Sequence, residues 1–124
     1  MTESLYLVNP PNPLNMKGFP GSLLALDLWV RRNVPDVVST IIDEEDTSER
    51  DLIASLEEKL ATAPERPHFG ITSTTATYQD ALTTARALKR IRPNSTIILG
   101  GHHVDGQEQT ILDSHPEIDL TVTG

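Results

Sequence analysis

The chain contains no cysteine. It therefore cannot form a disulfide, hold zinc through thiolates or carry a cysteine-bound iron–sulfur cluster. Long apolar runs are also missing, because proline and charged residues interrupt every segment that might cross a membrane. No basic segment precedes an apolar one at the N-terminus, so a secretory signal is not predicted. These absences favour a cytoplasmic protein with no membrane partner.

Basic residues are scarce, with 10 Lys and Arg against 18 Asp and Glu and a net charge of −8. No basic patch is visible, so a nucleic-acid partner is not expected. Acidic residues concentrate in residues 43–51, which we interpret as a solvated face beside a helix. A metal site there would need the ligand spacing and turn glycine of an EF-hand loop, and both are missing. The motifs GxGxxG, GxxxxGK[ST], GxSxG and HExxH are absent as well.

Strand-like and helix-like segments alternate along the chain. Short β-prone runs occupy residues 5–8, 37–42, 68–72, 96–99 and 118–123. Helical periodicity falls at residues 23–32, 52–60, 78–88 and 108–114. This alternation predicts a single α/β domain over residues 1–124, with a five-stranded parallel sheet of flavodoxin-like (Rossmann-like) order 2-1-3-4-5 in three layers. No helix follows the fifth strand, so the final helix of the fold is expected to be missing.

Two helix starts and one helix face carry specific expectations. Ser22 is predicted to cap the first helix, and Ser48 with Asp51 has the spacing of a capping box before the second. The apolar stripe of the first helix is expected at four positions, namely Leu24, Ala25, Leu28 and Trp29.

Residues suited to ligand binding follow the carboxyl ends of the predicted strands, where parallel sheets bind ligands. They are Asn9, Pro10 and Pro11; Thr72, Ser73 and Thr74; Gly100, Gly101, His102 and His103; and Gly124. Each loop also has a purely structural interpretation: the prolines set a turn, a hydroxyl caps the next helix, and the glycine pair makes a tight turn. Together the loops favour a cleft for a polar ligand.

The four histidines do not form a metal-binding motif. Side chains of the adjacent His102 and His103 diverge in extended backbone, so we expect at most one of them to face a ligand and predict no metal site. His68 and His115 are predicted to be structural. A phosphoreceiver domain would need an Asp at the end of the third strand, where this chain has Thr72.

The order of these segments resembles the cobalamin-binding N-terminal domain of B12-dependent radical SAM enzymes. Such domains run from an apolar strand into Asn-Pro-Pro, as residues 7–11 do, and continue with a proline before a small, Leu-rich helix, as at 20–25. Their second strand ends in Asp, like Asp43 here. Their later strands read like residues 69–72, 97–103 and 118–124, the last matching up to Gly124. The resemblance covers essentially the whole chain.

This resemblance implies a division of labour. The chain would hold the corrin at the strand ends, with Gly100 and Gly101 admitting the nucleotide tail and Thr72, Ser73 and Thr74 donating hydrogen bonds to it. A Gly101→Leu substitution should then block the tail and leave the fold intact. The Asp-x-His-x-x-Gly motif of methionine-synthase-like domains is missing, so the cobalamin is expected base-off, with His103 a contact and no histidine on cobalt.

The cysteine motif of the radical SAM core would lie downstream, in a larger parent protein of which this chain is an N-terminal fragment. That core would bind SAM and a 4Fe–4S cluster, and the parent would methylate or rearrange an unreactive substrate, while the chain alone is expected to be inactive. Weak self-association through the fifth strand is a further expectation. Two rival hypotheses remain: a stand-alone interaction or sensor domain that binds no cobalamin, and a small enzyme with a nucleotide or flavin in the same crevice.

Overall fold

The computed structural model of the chain describes residues 3–11, 21–73, 77–101 and 106–122. Its centre is a parallel sheet of five strands, in the order β2-β1-β3-β4-β5. The strands are β1 (Glu3–Asn9), β2 (Val37–Asp43), β3 (His68–Thr72), β4 (Thr96–Gly100) and β5 (Leu120–Thr121). The predicted flavodoxin-like α/β fold and its strand order are confirmed.

Helices connect consecutive strands: α1 (Gly21–Asn33), α2 (Leu52–Lys59), α3 (Tyr78–Ile91) and α4 (Glu108–Ser114). A single 3₁₀ turn, Glu49–Asp51, leads into α2. At this turn the Asp51 amide donates to Ser48 Oγ at 3.3 Å and the Ser48 hydroxyl donates to Asp51 Oδ2 at 3.0 Å. Ser48 is therefore confirmed as an N-cap, of the 3₁₀ turn, but the reciprocal bond of a capping box is not formed, because the Asp51 carboxylate accepts from the Ser48 hydroxyl and not from its amide. The Ser22 cap is wrong, because α1 begins at Gly21 and Ser22 lies inside the helix.

The main core lies on the face of the sheet that α2, α3 and α4 cover. Alternate strand residues meet the buried side of each helix, which is the arrangement that periods of 2 and 3.6 produce. Its strand members are Val8, Ile42, Phe69, Ile71, Ile97 and Leu99. Its helix members are Leu52, Leu56, Ala81, Leu82, Ala85, Ala87, Leu88 and Ile111, joined by Leu60 just after α2 and by Ile118.

The opposite face of the sheet is covered by α1 alone among the described helices, and we call it the α1 face. The predicted apolar stripe of α1 is wrong: Leu28 and Trp29 are 53% and 58% exposed. The buried positions are Leu23, Asp27 and Val30. A polar residue thus occupies the middle of the buried side, which hydrophobic periodicity cannot predict.

Asp27 is buried because β2 offers it a partner. The buried Ser39 hydroxyl donates to Asp27 Oδ1, and Arg31 Nε donates to Asp27 Oδ2 at 2.9 Å. The hydrogen bond from Ser39 lowers the pKa of Asp27 below its ordinary 3.8, helped by the Arg31 guanidinium and opposed by burial. This contact joins α1 to β2 through a charged group rather than an apolar one.

Within the described residues, the fifth strand is shorter than predicted: Leu120 and Thr121 pair with β4, and the flanking amides of Asp119 and Val122 donate to the Ile97 and Leu99 carbonyl oxygens at 2.9 Å each. Its lead-in is held by a side chain: Asp119 Oδ2 accepts the Ile97 amide at 2.8 Å and lies 2.9 Å from Lys89 Nζ. Beyond it, Leu120 and Val122 are 53% and 56% exposed. Among the helices of the described ranges, none is long and apolar enough to cross a membrane.

Candidate functional site

The ligand-binding position of a 2-1-3-4-5 sheet lies between β1 and β3, where successive connections leave to opposite faces. The last residues of four strands line up there on the α1 face. Asn9 pairs with Asp43, Thr72 pairs with Gly100, and the β1–β3 register, extended by one residue, places Asn9 beside Thr72. We call Asp43, Asn9, Thr72 and Gly100 the terminal row.

Beneath the terminal row, the α1 face carries small and apolar residues. The next row across the sheet contains Leu7, Gly70, Ile98 and Leu120. A Cβ on Gly70 would come 3.3 Å from Leu7 Cδ2, and one on Gly100 would come 3.6 Å from the Val122 carbonyl oxygen. At these two positions no side chain projects from the sheet. The result is a partly open apolar surface with a polar row along its top edge.

The polar half of the terminal row is preorganised by hydrogen bonds. Asn9 Nδ2 donates to Asp43 Oδ1 at 3.1 Å, and the Glu45 amide donates to the same oxygen at 3.0 Å. The Asp43 side chain is exposed, whereas Asn9 and Thr72 are half-buried. Sequence reasoning named Asn9, Thr72 and Gly100 but left Asp43 out of the site. Its position at the end of β2 was the available signal, since β2 pairs with β1.

Behind Asp43, the acidic run turns inward. Glu44 is fully buried and accepts hydrogen bonds from Thr47 Oγ1 at 2.6 Å, Ser55 Oγ at 2.9 Å and Lys59 Nζ at 2.6 Å. The solvated-face prediction is therefore wrong for this residue. Glu44 shares the parity of Ile42 and so points toward α2, where Ser55 and Lys59 stand one helical turn apart. This network anchors α2 behind the site.

Ser73 and Gly101 have structural roles that differ from the sequence-based expectation. The Ser73 amide and hydroxyl both donate to the Gly100 carbonyl, at 2.9 and 3.1 Å, so both donors are used within the protein. Gly101 has φ +105°, and a Cβ there would come 2.1 Å from the Ser73 carbonyl oxygen. The missing side chain makes room for the chain's own backbone. The expectation that Gly101→Leu leaves the fold intact is therefore wrong.

Several predicted site residues lie outside the described ranges, namely Thr74, His102, His103 and Gly124. Pro10 and Pro11 are described and buried directly after β1. The other two histidines stand away from the terminal row. His68 Nε2 lies 3.0 Å from Glu3 Oε2 near the start of β1, and His115 packs edge-on against Tyr78. Both positions agree with the structural roles predicted for them.

Two further features belong to other parts of the molecule. A groove of about 550 Å³ runs between α2 and the end of α3, on the main-core side of the sheet and away from the α1 face. Its residues are Ile53, Glu57, Ala61, Arg90, Ile91 and Arg92. Arg92 is held there by the carbonyl oxygens of Leu60 and Pro64, at 2.7 and 3.2 Å. Within the described ranges, no group of three His, Asp or Glu side chains is arranged to hold a metal ion.

In comparisons with known proteins, no protein-family model matches the chain and no curated protein matches it. Function has therefore to be inferred from the terminal row, the α1 face and the chemistry they present.

Proposed function

We propose that the chain is a cobalamin-binding module that holds a corrin at the terminal row and serves a radical SAM core on another part of its parent protein. The observation that carries the proposal is the position of the row. Polar side chains stand at the β1–β3 switch point, directly above a partly open apolar face. The resemblance in the order of sequence segments supports the same ligand class.

The described residues fit a corrin, which is a broad ring with apolar faces and amide groups around its rim. Gly70 and Gly100 leave the surface without projecting side chains, so a flat ring could approach the sheet closely. Ile98, Leu120 and Val122 would contact its apolar parts. Asn9 and Thr72 would meet its rim amides, because buried polar groups need hydrogen-bond partners.

Cobalamin, when bound, supplies the cobalt chemistry of methyl transfer or radical rearrangement. The residues of this chain would bind the ring, orient it and exclude water from the face that rests on the sheet. SAM and the 4Fe–4S cluster would belong to the radical SAM core, because a chain without cysteine cannot hold the cluster. The chain alone is therefore expected to show no SAM cleavage.

The test is a spectral titration of the full chain with hydroxocobalamin. Gly100→Val places a branched side chain on the terminal row, and the expected result is at least tenfold weaker binding than wild type, or about 1.4 kcal/mol. Thr96→Val is the matched control, because Thr96 lies on the same strand and face at the opposite end. Equal binding by Gly100→Val and wild type would contradict the proposed placement.

A second candidate, an interaction domain that binds no cobalamin, is favoured by the exposed apolar residues of α1. Leu26, Leu28 and Trp29 are 45%, 53% and 58% exposed on one short stretch of α1, and apolar residues that form an exposed patch commonly mark contact surfaces. The same titration separates the two hypotheses. An unchanged hydroxocobalamin spectrum with a folded wild-type chain would favour the interaction domain.

A further inference from the structure

The two carboxylate oxygens of Asp43 differ in their hydrogen bonds to the described residues. Oδ1 accepts from Asn9 Nδ2 and from the Glu45 amide. Lys59 is near but uses its ammonium group on Glu44 Oε1 at 2.6 Å and on the Asp43 main-chain oxygen at 3.2 Å. Among the described residues, Oδ2 therefore has no hydrogen-bond donor, and no cation pairs with this carboxylate.

Asn9 adds a second acceptor beside it. Because its Nδ2 donates to Asp43, the amide is oriented with Nδ2 toward β2, which leaves Oδ1 as an acceptor on the β3 side. Thr72 comes next in the row, and its hydroxyl can donate or accept. No Lys or Arg belongs to the terminal row. The row thus presents acceptor oxygens and one negative charge.

From this we infer that Asp43 is a specificity-determining residue that selects uncharged, hydrogen-donating groups on the ligand and disfavours anionic ones. This inference rests on the proposed function. It identifies the amide groups on the rim of the corrin as the part of the ligand that Asp43 recognises. An amide and a carboxylate have nearly the same shape, yet the amide offers N–H donors. A carboxylate offers only acceptors and a like charge, and juxtaposed like charges discriminate strongly between ligands.

The experiment compares hydroxocobalamin with its monocarboxylic derivatives, in each of which one rim amide has been hydrolysed. Affinities for the full-length chain are measured by spectral titration at pH 7, where the added carboxylate is ionised. We expect at least one positional isomer to bind wild type about tenfold more weakly than hydroxocobalamin. In Asp43→Asn that gap should close to within about twofold, and added salt should narrow it in wild type.

Asp46→Asn is the matched control, because it removes the same charge from an exposed turn residue that is not in the terminal row. It should keep the full wild-type discrimination. If every isomer binds wild type as well as hydroxocobalamin does, the role of Asp43 is overturned while cobalamin binding stands. That role is also overturned if Asp43→Asn weakens the binding of all the corrinoids equally. If no corrinoid binds, the proposed function falls and this inference falls with it.

Discussion

Replacing Gly101 by alanine tests the interpretation that this glycine serves the fold rather than a ligand. The added Cβ would stand 2.1 Å from the Ser73 carbonyl oxygen and 2.8 Å from the Ser73 amide nitrogen. Backbone atoms cannot rotate aside as a flexible side chain can. The segments that follow β3 and β4 must therefore move apart, and the two hydrogen bonds from Ser73 to Gly100 must lengthen or break.

The expected loss follows from two contributions. A non-glycine residue held at a φ of +105° is strained by about 1–3 kcal/mol. Each of the two hydrogen bonds from Ser73 contributes about 1 kcal/mol. The sum is roughly 3–5 kcal/mol, a large fraction of the total stability of about 5–15 kcal/mol that domains possess.

Urea unfolding followed by circular dichroism measures the change, with an unaltered m-value as the sign that two-state unfolding is retained. Two other glycines separate the contributions. Gly106→Ala carries the positive φ without a close contact to any described residue, since none of their atoms lies within 4 Å of its added Cβ, and should lose about 1–2 kcal/mol. Gly100→Ala has no positive φ and a nearest contact of 3.6 Å, so its change should stay within about 1 kcal/mol.

The order of stability of the three variants tests whether the position of Gly101 is needed for the fold. Gly101→Ala must be the least stable, and its melting temperature should fall by roughly 10 °C or more. A Gly101→Ala protein no less stable than Gly106→Ala would refute the claim that Ser73 fills the space beside Gly101.

Three further predictions concern charge, and a fourth concerns exposed surface. Asp27→Asn should be less stable than wild type at neutral pH. Because the pKa of Asp27 is lowered in the folded chain, the ionised carboxylate stabilises the fold above the ordinary value of 3.8, and this stabilisation is lost as the pH falls through the folded-state pKa. Urea unfolding of both proteins between pH 2 and 7 measures the difference. Burial raises the pKa of Asp80, so Asp80→Asn should instead stabilise the chain at neutral pH, as measured by the same urea unfolding. Lys59→Met should cost about 1–3 kcal/mol by denaturant unfolding, because it leaves the buried carboxylate of Glu44 without its cation. Leu120→Glu should abolish weak self-association of the wild type in sedimentation experiments, because it charges an exposed apolar position on the edge strand.

Each of these predictions has an outcome that would contradict it. A pH profile for Asp27→Asn that parallels wild type through the acid limb would remove the role given to the Ser39 contact. A loss of stability in Asp80→Asn would mean that the carboxylate is favourably placed despite its burial. Equal stability of Lys59→Met and wild type would mean that the hydroxyls around Glu44 suffice for it. Equal self-association of Leu120→Glu and wild type would contradict the role given to the edge strand. Ile53→Glu is the control for that experiment, because Ile53 is an exposed apolar residue of α2, on the main-core side of the sheet.

Hydrophobic periodicity predicted the buried side of α3 correctly, because apolar residues occupy that side. The α3 positions Ala81, Leu82, Ala85 and Leu88 were predictable because their spacing repeats every turn, and all four are buried. The same reasoning failed on α1. There the apolar residues Leu28 and Trp29 face solvent, because the side that meets β2 carries Asp27.

The candidate site divides in the same way. Asn9, Thr72 and Gly100 were predictable, because strand ends can be read from a sequence and parallel strands bring their carboxyl ends to one edge. Asp43 could also be read as a strand end, but its contact with Asn9 depends on the β1–β2 register. Ser73 is not part of the row, because its donors bond to the Gly100 carbonyl.

By itself, the sequence determined the alternation of strands and helices and hence the doubly wound sheet, because periodicity and chain connectivity are local properties. The tertiary structure decided which polar residues are used internally. Glu44 in the acidic run and Gly101 in the glycine pair are of residue types that often bind ligands. Each instead contacts a residue distant in sequence, Lys59 and Ser73 respectively. Such partners depend on register and on helix placement, and neither is written in the pattern of any single segment.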